Sequence, residues 1–251
     1  MGEPAGWQRH VEEFVLEQIG DPPTRVLEIG CGKGELALTL ARAGHRVTAI
    51  DPRAPEGPIF RREGIEEFSD PGKFDHVVSS LALHHIEDLG MALGKMADLL
   101  RAGGTLVVVE FAWDRIDEAT AKWTLDRLPA SSPSEKPSWL EHCCRGWVRG
   151  GEGRNHDHGG HAEAHFARWA GEERLHGSRR VRAELERHFV ERYFEWVPYL
   201  YADLGEGVSE ADERAAIEAG HVNATGLRYV GTLALQEEHS GRTGRALAEP
   251  S

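Results

Sequence analysis

The chain has 251 residues, of which 40% are hydrophobic, and a formal net charge of −13 at pH 7. That length is enough for one sizeable core with a subsidiary helical layer, and the ordinary apolar content argues against wholesale disorder. The acidic balance excludes a general nucleic-acid-binding surface, which needs clustered Lys and Arg; Arg179, Arg180 and Arg182 read as a solvated helix face or a small local rim. No apolar run approaches the roughly 20 residues of a membrane span. The opening stretch "MGEPAGWQRHVEEF" lacks the basic start and apolar middle of a signal peptide, and Gly2 lacks the downstream Ser or Thr of a myristoylation signal. Cys31, Cys143 and Cys144 make no disulfide framework, so a cytoplasmic protein without membrane or nucleic-acid partners is expected.

In chain order, Val11, Phe14, Val15 and Ile19 recur at helical spacing from Trp7 onward. "DPPT" breaks that helix, and "RVLEIG" reads as a short buried strand. Leu36, Leu38, Leu40 and Ala41 suit a helix from Glu35 to Ala43, closed by Gly44. "RVTAID" is a second strand and "FDHVVSSLAL" a later one. A helix from about Leu89 to Leu100 ends at "RAGG", and "TLVVVEF" follows as a buried strand. Short apolar strands alternating with helices of about ten residues indicate a parallel sheet covered on both faces. From Ala112 to about His188 the pattern turns helical, and strand-like segments return at "FVERYFEWVPYLY" and "GLRYVGTLAL". The expected organisation is an N-terminal helical segment (1–23), an α/β core (24–111), a helical insertion (112–188), late strands completing the sheet (189–238) and a loose tail (239–251).

The stretch "VLEIGCGKGE" places Gly30, Gly32 and Gly34 at a strand end, immediately before a helix. In open parallel sheets ligands sit beyond the carboxyl ends of the strands, and absent side chains let the backbone approach them closely. Two cofactor types compete. A dinucleotide calls for G-x-G-x-x-G, whereas the spacing here is G-x-G-x-G. Glu28, two residues before the first glycine, sits poorly beside a pyrophosphate and well beside an ammonium or sulfonium cation. Asp51 closes the second strand, where an acid accepts hydrogen bonds from ribose hydroxyls of either cofactor.

"VLEIGCGKGE", "VTAID", "FDHVVSSLALHHI" and "LLRAGGTLVVVE", in that order, resemble the successive motifs of class I S-adenosylmethionine-dependent methyltransferases, most closely the small-molecule branch. The resemblance covers about Arg25 to Phe111. It implies a Rossmann-like α/β fold with a seven-stranded, mostly parallel sheet, helices on both faces and an antiparallel last-numbered strand. It implies S-adenosyl-L-methionine as cofactor and S-adenosyl-L-homocysteine as product. By position, Glu28, Gly30, Cys31, Gly32 and Gly34 would line the methionine and ribose part, and Asp51 with Pro52 the ribose. Ile65 and Glu66 would flank the adenine, and Ser80 and Leu81 would approach the methionine moiety. The family often carries an acid where Gly64 stands, which leaves the adenine amine to Glu63, Glu66 or a backbone carbonyl.

Candidate bases are histidines. His84 and His85 follow the fourth strand at the cofactor-facing edge, where an imidazole serves either as base or as a local cap. His156, Asp157, His158, His161 and His165 crowd the insertion, with His158 the candidate base among them. A metal site is not expected there, because the spacing matches no standard zinc signature and no cysteine joins it. Trp113, Trp123, Trp139, Trp147 and Trp169 fall in the insertion as core packing or as an acceptor pocket, and Tyr193, Trp196, Tyr199 and Tyr201 would extend the same wall. The expected function is methyl transfer to a small organic acceptor, O-methylation of a bulky or aromatic molecule foremost. A non-methylating cyclase, decarboxylase or isomerase, or a non-catalytic accessory protein, stand as alternatives. The oligomeric state is left open, a homodimer included.

Overall fold

A computed structural model describes residues 5–128, 139–141, 143, 144, 147, 161–204 and 207–233. Seven strands form one sheet in the order β3-β2-β1-β4-β5-β7-β6. They are β1 (Arg25–Ile29), β2 (Arg46–Ile50), β3 (Phe60–Arg61), β4 (Phe74–Ser80), β5 (Leu100–Phe111), β6 (Phe189–Val197) and β7 (Gly226–Leu233). β1 to β5 pair in parallel, while β7 runs antiparallel to both β5 and β6. Chain order reverses between β1 and β4, which makes the gap beyond their carboxyl ends the expected ligand position.

Alternation along the strands sorts the core into two layers. Leu27, Ile29, Val77, Leu106, Val108 and Tyr229 face α3 (Leu89–Leu99) and α6 (Ser178–His188). Val26, Val47, Val78, Val107, Val109 and Val230 face α1 (Ala5–Ile19) and α2 (Glu35–Arg42). In α3 the buried Leu89, Ala92, Leu93, Met96 and Leu99 recur at helical spacing, and the Asp88 carboxylate caps the start by accepting from the Met91 N–H at 3.0 Å.

A third apolar cluster lies beyond the end of β5. Phe111, Ile116, Ala121 and Phe166 build it with α4 (Glu118–Leu125) and α5 (His161–Glu172), which stand between β5 and β6 in the chain. Leu200 and Leu204 join from the turn after β6. That turn is a 3-10 helix, Leu200–Asp203, held by Glu213 of α7 (Glu210–Glu218).

Five segments differ from the sequence expectation. β5 begins at Leu100 and takes in the "RAGG" read as a helix end. β4 stops at Ser80, because Leu81 turns to φ 51 and residues Leu83–His85 form a 3-10 helix. β6 stops at Val197, before Pro198, and the buried Glu213 accepts from the Tyr199 and Tyr201 N–H groups at 3.0 and 2.7 Å, which pulls that stretch off the sheet. Two-residue β3 and helix α7 were not read from the sequence.

Candidate functional site

The glycine turn leaves β1 under two constraints. Gly30 (φ 75) and Cys31 both donate their N–H to Ile50 O, at 2.9 and 3.1 Å, which ties the turn to the end of β2. A Cβ on Gly30 would stand 2.3 Å from Ala82 Cβ, so this glycine is required by the fold. Gly32 is different. A Cβ there would meet nothing within 4 Å, so its left-handed φ of 50 and not a neighbour favours a glycine, and its bare face opens onto free space.

That space is a cleft of about 190 Å3, lined by Glu28, Gly30, Cys31, Gly32, Lys33 and Ser80 from the sheet edge and by Trp7, Gln8 and Val11 from α1. It is smaller than the roughly 300 Å3 at the low end of small-molecule sites. Glu28 is 2% exposed and faces the cleft. The Asp51 carboxylate accepts from the Gly32 N–H at 3.1 Å and the Arg53 N–H at 2.7 Å, which fixes it beside the turn. Burial, then the charges of Glu28 and Asp51, push the Cys31 thiol up to about 12. The thiol is therefore no nucleophile.

Ser80 faces the cleft from β4, and Leu81 after it holds a left-handed backbone that a branched side chain adopts only at a cost of about 1–3 kcal/mol. The next turn carries both adjacent histidines. His84 is buried and pairs through Nδ1 with the Glu110 carboxylate at the end of β5. Burial opposes its protonation, but the charge and hydrogen bond of Glu110 together outweigh burial and raise its pKa. His85 is exposed beside it, with ring centroids 4.2 Å apart. Partial desolvation and then the His84 charge lower its pKa.

A methyltransferase-domain family model matches residues 4–145, more than half of the chain. The chain belongs to that family. An uncharacterized methyltransferase of Mycobacterium bovis is 42% identical over 101 residues, 34% of this chain and 50% of that one. A ubiquinone biosynthesis O-methyltransferase of Xanthomonas campestris pv. campestris is 34% identical over 110 residues, 38% of this chain and 46% of that one. The chain thus spans about half the length of the curated relatives it matches. Among solved structures, an S-adenosylmethionine dependent methyltransferase from Mesorhizobium loti aligns with a TM-score of 0.53 at 16% identity, covering 91% of this chain and 98% of that one. At that identity the likeness is one of fold.

Within this methyltransferase domain, Glu28, Gly30, Cys31, Gly32 and Ser80 share one cleft, whereas Gly34, Asp51, Pro52 and Leu81 do not line it, and Gly34 is turned to the Phe60 ring, into which an added Cβ would run. Ile65 is 3% exposed and packed into the α3-side core, so little of it is left to meet a ring. The Glu66 carboxylate folds back over Gly64, where an added Cβ would meet Oε2 at 2.6 Å. His156, Asp157 and His158 lie outside the described residues, as does the side chain of His161. His165 Nδ1 lies 3.1 Å from an Arg168 guanidinium nitrogen on the same helix. Among the described residues no group of three His, Cys, Asp or Glu side chains is arranged to hold a metal ion.

The aromatic wall divides. Trp139 stacks on Trp169 with centroids 5.5 Å apart, and Phe111 contacts both Trp139 and Tyr199 at 5.0 and 4.7 Å. Trp113, Trp123 and Trp147 pack against the same apolar cluster, whereas Tyr193, Tyr201 and Trp196 do not join it. Tyr193 packs on Phe14 of α1, Tyr201 bonds His10 at 2.9 Å, and Trp196 lies under the Arg115 guanidinium. The reason is the bend at Pro198 together with strand alternation on β6. Glu110 is not among the residues the motifs point to, although one acid inside the buried run "LVVVEF" is itself a signal: such a carboxylate must find a partner.

Proposed function

We propose that the chain transfers a methyl group from S-adenosylmethionine to a small organic acceptor, with a hydroxyl on a bulky, partly aromatic molecule as the receiving group. The observation that carries this reading is the unfilled space over Gly32, set between two fixed carboxylates. Glu28, buried at the cleft wall, favours an ammonium or sulfonium and disfavours a pyrophosphate. Asp51 keeps lone pairs for ribose hydroxyls while its backbone bonds hold it still. Glu66 folds over Gly64 and, with Glu63 and the backbone carbonyls of this segment, is a candidate acceptor for an adenine amine.

When bound, S-adenosylmethionine supplies an electrophilic methyl carbon that an acceptor lone pair takes as the carbon–sulfur bond breaks. What remains for the protein is to hold an acceptor in line and exclude water. Positioning of that kind is worth on the order of 7–11 kcal/mol. Trp7 and Val11 of α1 cover the cleft, and the Phe111, Trp139, Trp169 and Tyr199 group stands where an aromatic acceptor would pack. The likeness to an O-methyltransferase supports oxygen as the attacked atom.

Incubation with methyl-labelled S-adenosylmethionine and a panel of hydroxylated aromatics, amines and carbon acids tests this by product mass. A gain of one labelled methyl on a hydroxylated acceptor is expected. Conversion of an acceptor with unchanged formula would overturn the reading in favour of a non-methylating reaction.

A further inference from the structure

β5 ends Leu106, Val107, Val108, Val109, Glu110, Phe111, all buried, and Glu110 is 1% exposed. An ionised carboxylate there costs several kcal/mol unless its partners are good. It has three. Leu83 N–H donates at 3.0 Å, Phe111 N–H at 3.2 Å, and His84 Nδ1 makes the short third contact. All three lie on or beside the turn after β4, next to Ser80 of the cleft and the strained Leu81.

With Nδ1 against a carboxylate, the neutral imidazole carries its hydrogen on Nδ1 and its lone pair on Nε2. Among the described residues Nε2 makes no hydrogen bond, and it is not one of the polar atoms sealed from solvent. The ring also stands edge-on to Phe111, a member of the aromatic group, with centroids 6.4 Å apart. A purely structural tie between two strand ends needs no ionisable pair with one nitrogen left open.

We propose that Glu110 is a positioning residue that fixes His84 as the base of the transfer, holding Nδ1–H so that Nε2 meets the acceptor hydroxyl. The proposal rests on the methyl-transfer reading above. The acceptor O–H bond breaks and its proton goes to Nε2; the electron pair left on oxygen is the one the methyl group receives. Glu110 takes no proton. Its charge offsets the imidazolium until Nε2 returns the proton to solvent. His85 lacks such a carboxylate contact and stands exposed, which removes it from this role. Further ionisable groups stand around this turn: Arg53, whose charge reaches His85; Glu87 and Asp88, which follow the turn in the chain; and His176 from the loop before α6. The backbone N–H of His176 donates to His84 O at 2.9 Å, and its Nε2 lies 2.8 Å from Ile86 O.

The test is nitrogen-15 ring NMR of the full chain, titrated with pH and with S-adenosylhomocysteine, on wild type and Glu110→Gln. In wild type the neutral His84 ring is expected as the Nδ1–H form, with its midpoint above that of an ordinary histidine and its signals moved by S-adenosylhomocysteine. Glu110→Gln is expected to lower the midpoint by about 1–3 pH units, and Glu110→Asp to restore part of it. The pH profile of labelled-methyl transfer to a hydroxylated acceptor of the panel is the readout that a merely structural tie would not move. It is expected to follow the ring midpoint downward in Glu110→Gln, and a profile that stays put while the ring midpoint falls overturns the proposal. Should Glu110→Gln fail to fold, wild type alone decides, because an Nε2–H form or a ring indifferent to bound S-adenosylhomocysteine sinks the assignment. Calorimetry on wild type separates the two levels. Binding with an indifferent ring removes only the base, whereas no binding removes the methyl-transfer reading and the base with it.

Discussion

A methyl group added at Gly30 would stand 2.3 Å from Ala82 Cβ, on a backbone at φ 75. Left-handed strain of roughly 1–2 kcal/mol and overpacking of roughly 1–3 add here, because neither neighbour is a flexible chain end. Gly30→Ala is therefore expected to cost about 2–5 kcal/mol in urea unfolding; a change near zero would mean the turn is not as described. Asp51 works in the opposite sense, through the ligand. Asp51→Asn removes the charge that accepts ribose hydroxyls, and hydrogen bonds to charged groups are worth about 1.5–3 kcal/mol. S-adenosylhomocysteine affinity should fall roughly 10–150-fold by calorimetry with the circular dichroism spectrum unchanged. An unaltered affinity would place the ribose elsewhere.

Among the elements, α7 sets the turn that carries Tyr199 into the aromatic group. Its Glu213 is fully buried, and burial raises the carboxyl pKa above the ordinary 4.5 although backbone N–H groups of Tyr199, Tyr201 and Leu200 partly offset it. The folded state then holds a proton that the unfolded chain has released. The stability contribution is present below about pH 4.5 and is lost as pH rises through the raised value. Unfolding free energies followed upward from pH 4.5 should show Glu213→Gln gaining on wild type across that window, whereas a constant difference would contradict the shift.

What the sequence revealed of these elements follows from how each is stabilised. β1, β2 and the apolar halves of β4 and β5 are buried on both faces, so their runs announce themselves. β3 has two residues and no period to detect. The "RAGG" segment joins β5 through pairing with β4 across a register irregularity, a tertiary effect with no local mark. α7 did carry one, since Ser209 and Asp212 form a capping box three residues apart. At the site, the glycines, Glu28 and Asp51 were legible because a ligand-facing turn needs special residues at fixed spacing. The Glu110–His84 pair joins positions 26 apart in sequence, and spacing cannot show which of two histidines turns inward.

For the whole molecule, the account stands on one relation: a sheet whose order reverses between β1 and β4, capped by α1, with a carboxylate-lined cleft at that point. No described helix is long and apolar enough to cross a membrane. A ligand at 100 times its Kd stabilises the folded state by about 2.7 kcal/mol, so binding should also raise Tm. The most direct measurement is a calorimetric titration of the full chain with S-adenosylhomocysteine, with reduced nicotinamide dinucleotide as the competitor. Saturable one-to-one binding of the former, undisturbed by the latter, is the expected result. Absence of heat with S-adenosylhomocysteine, or displacement by the dinucleotide, would contradict the central claim.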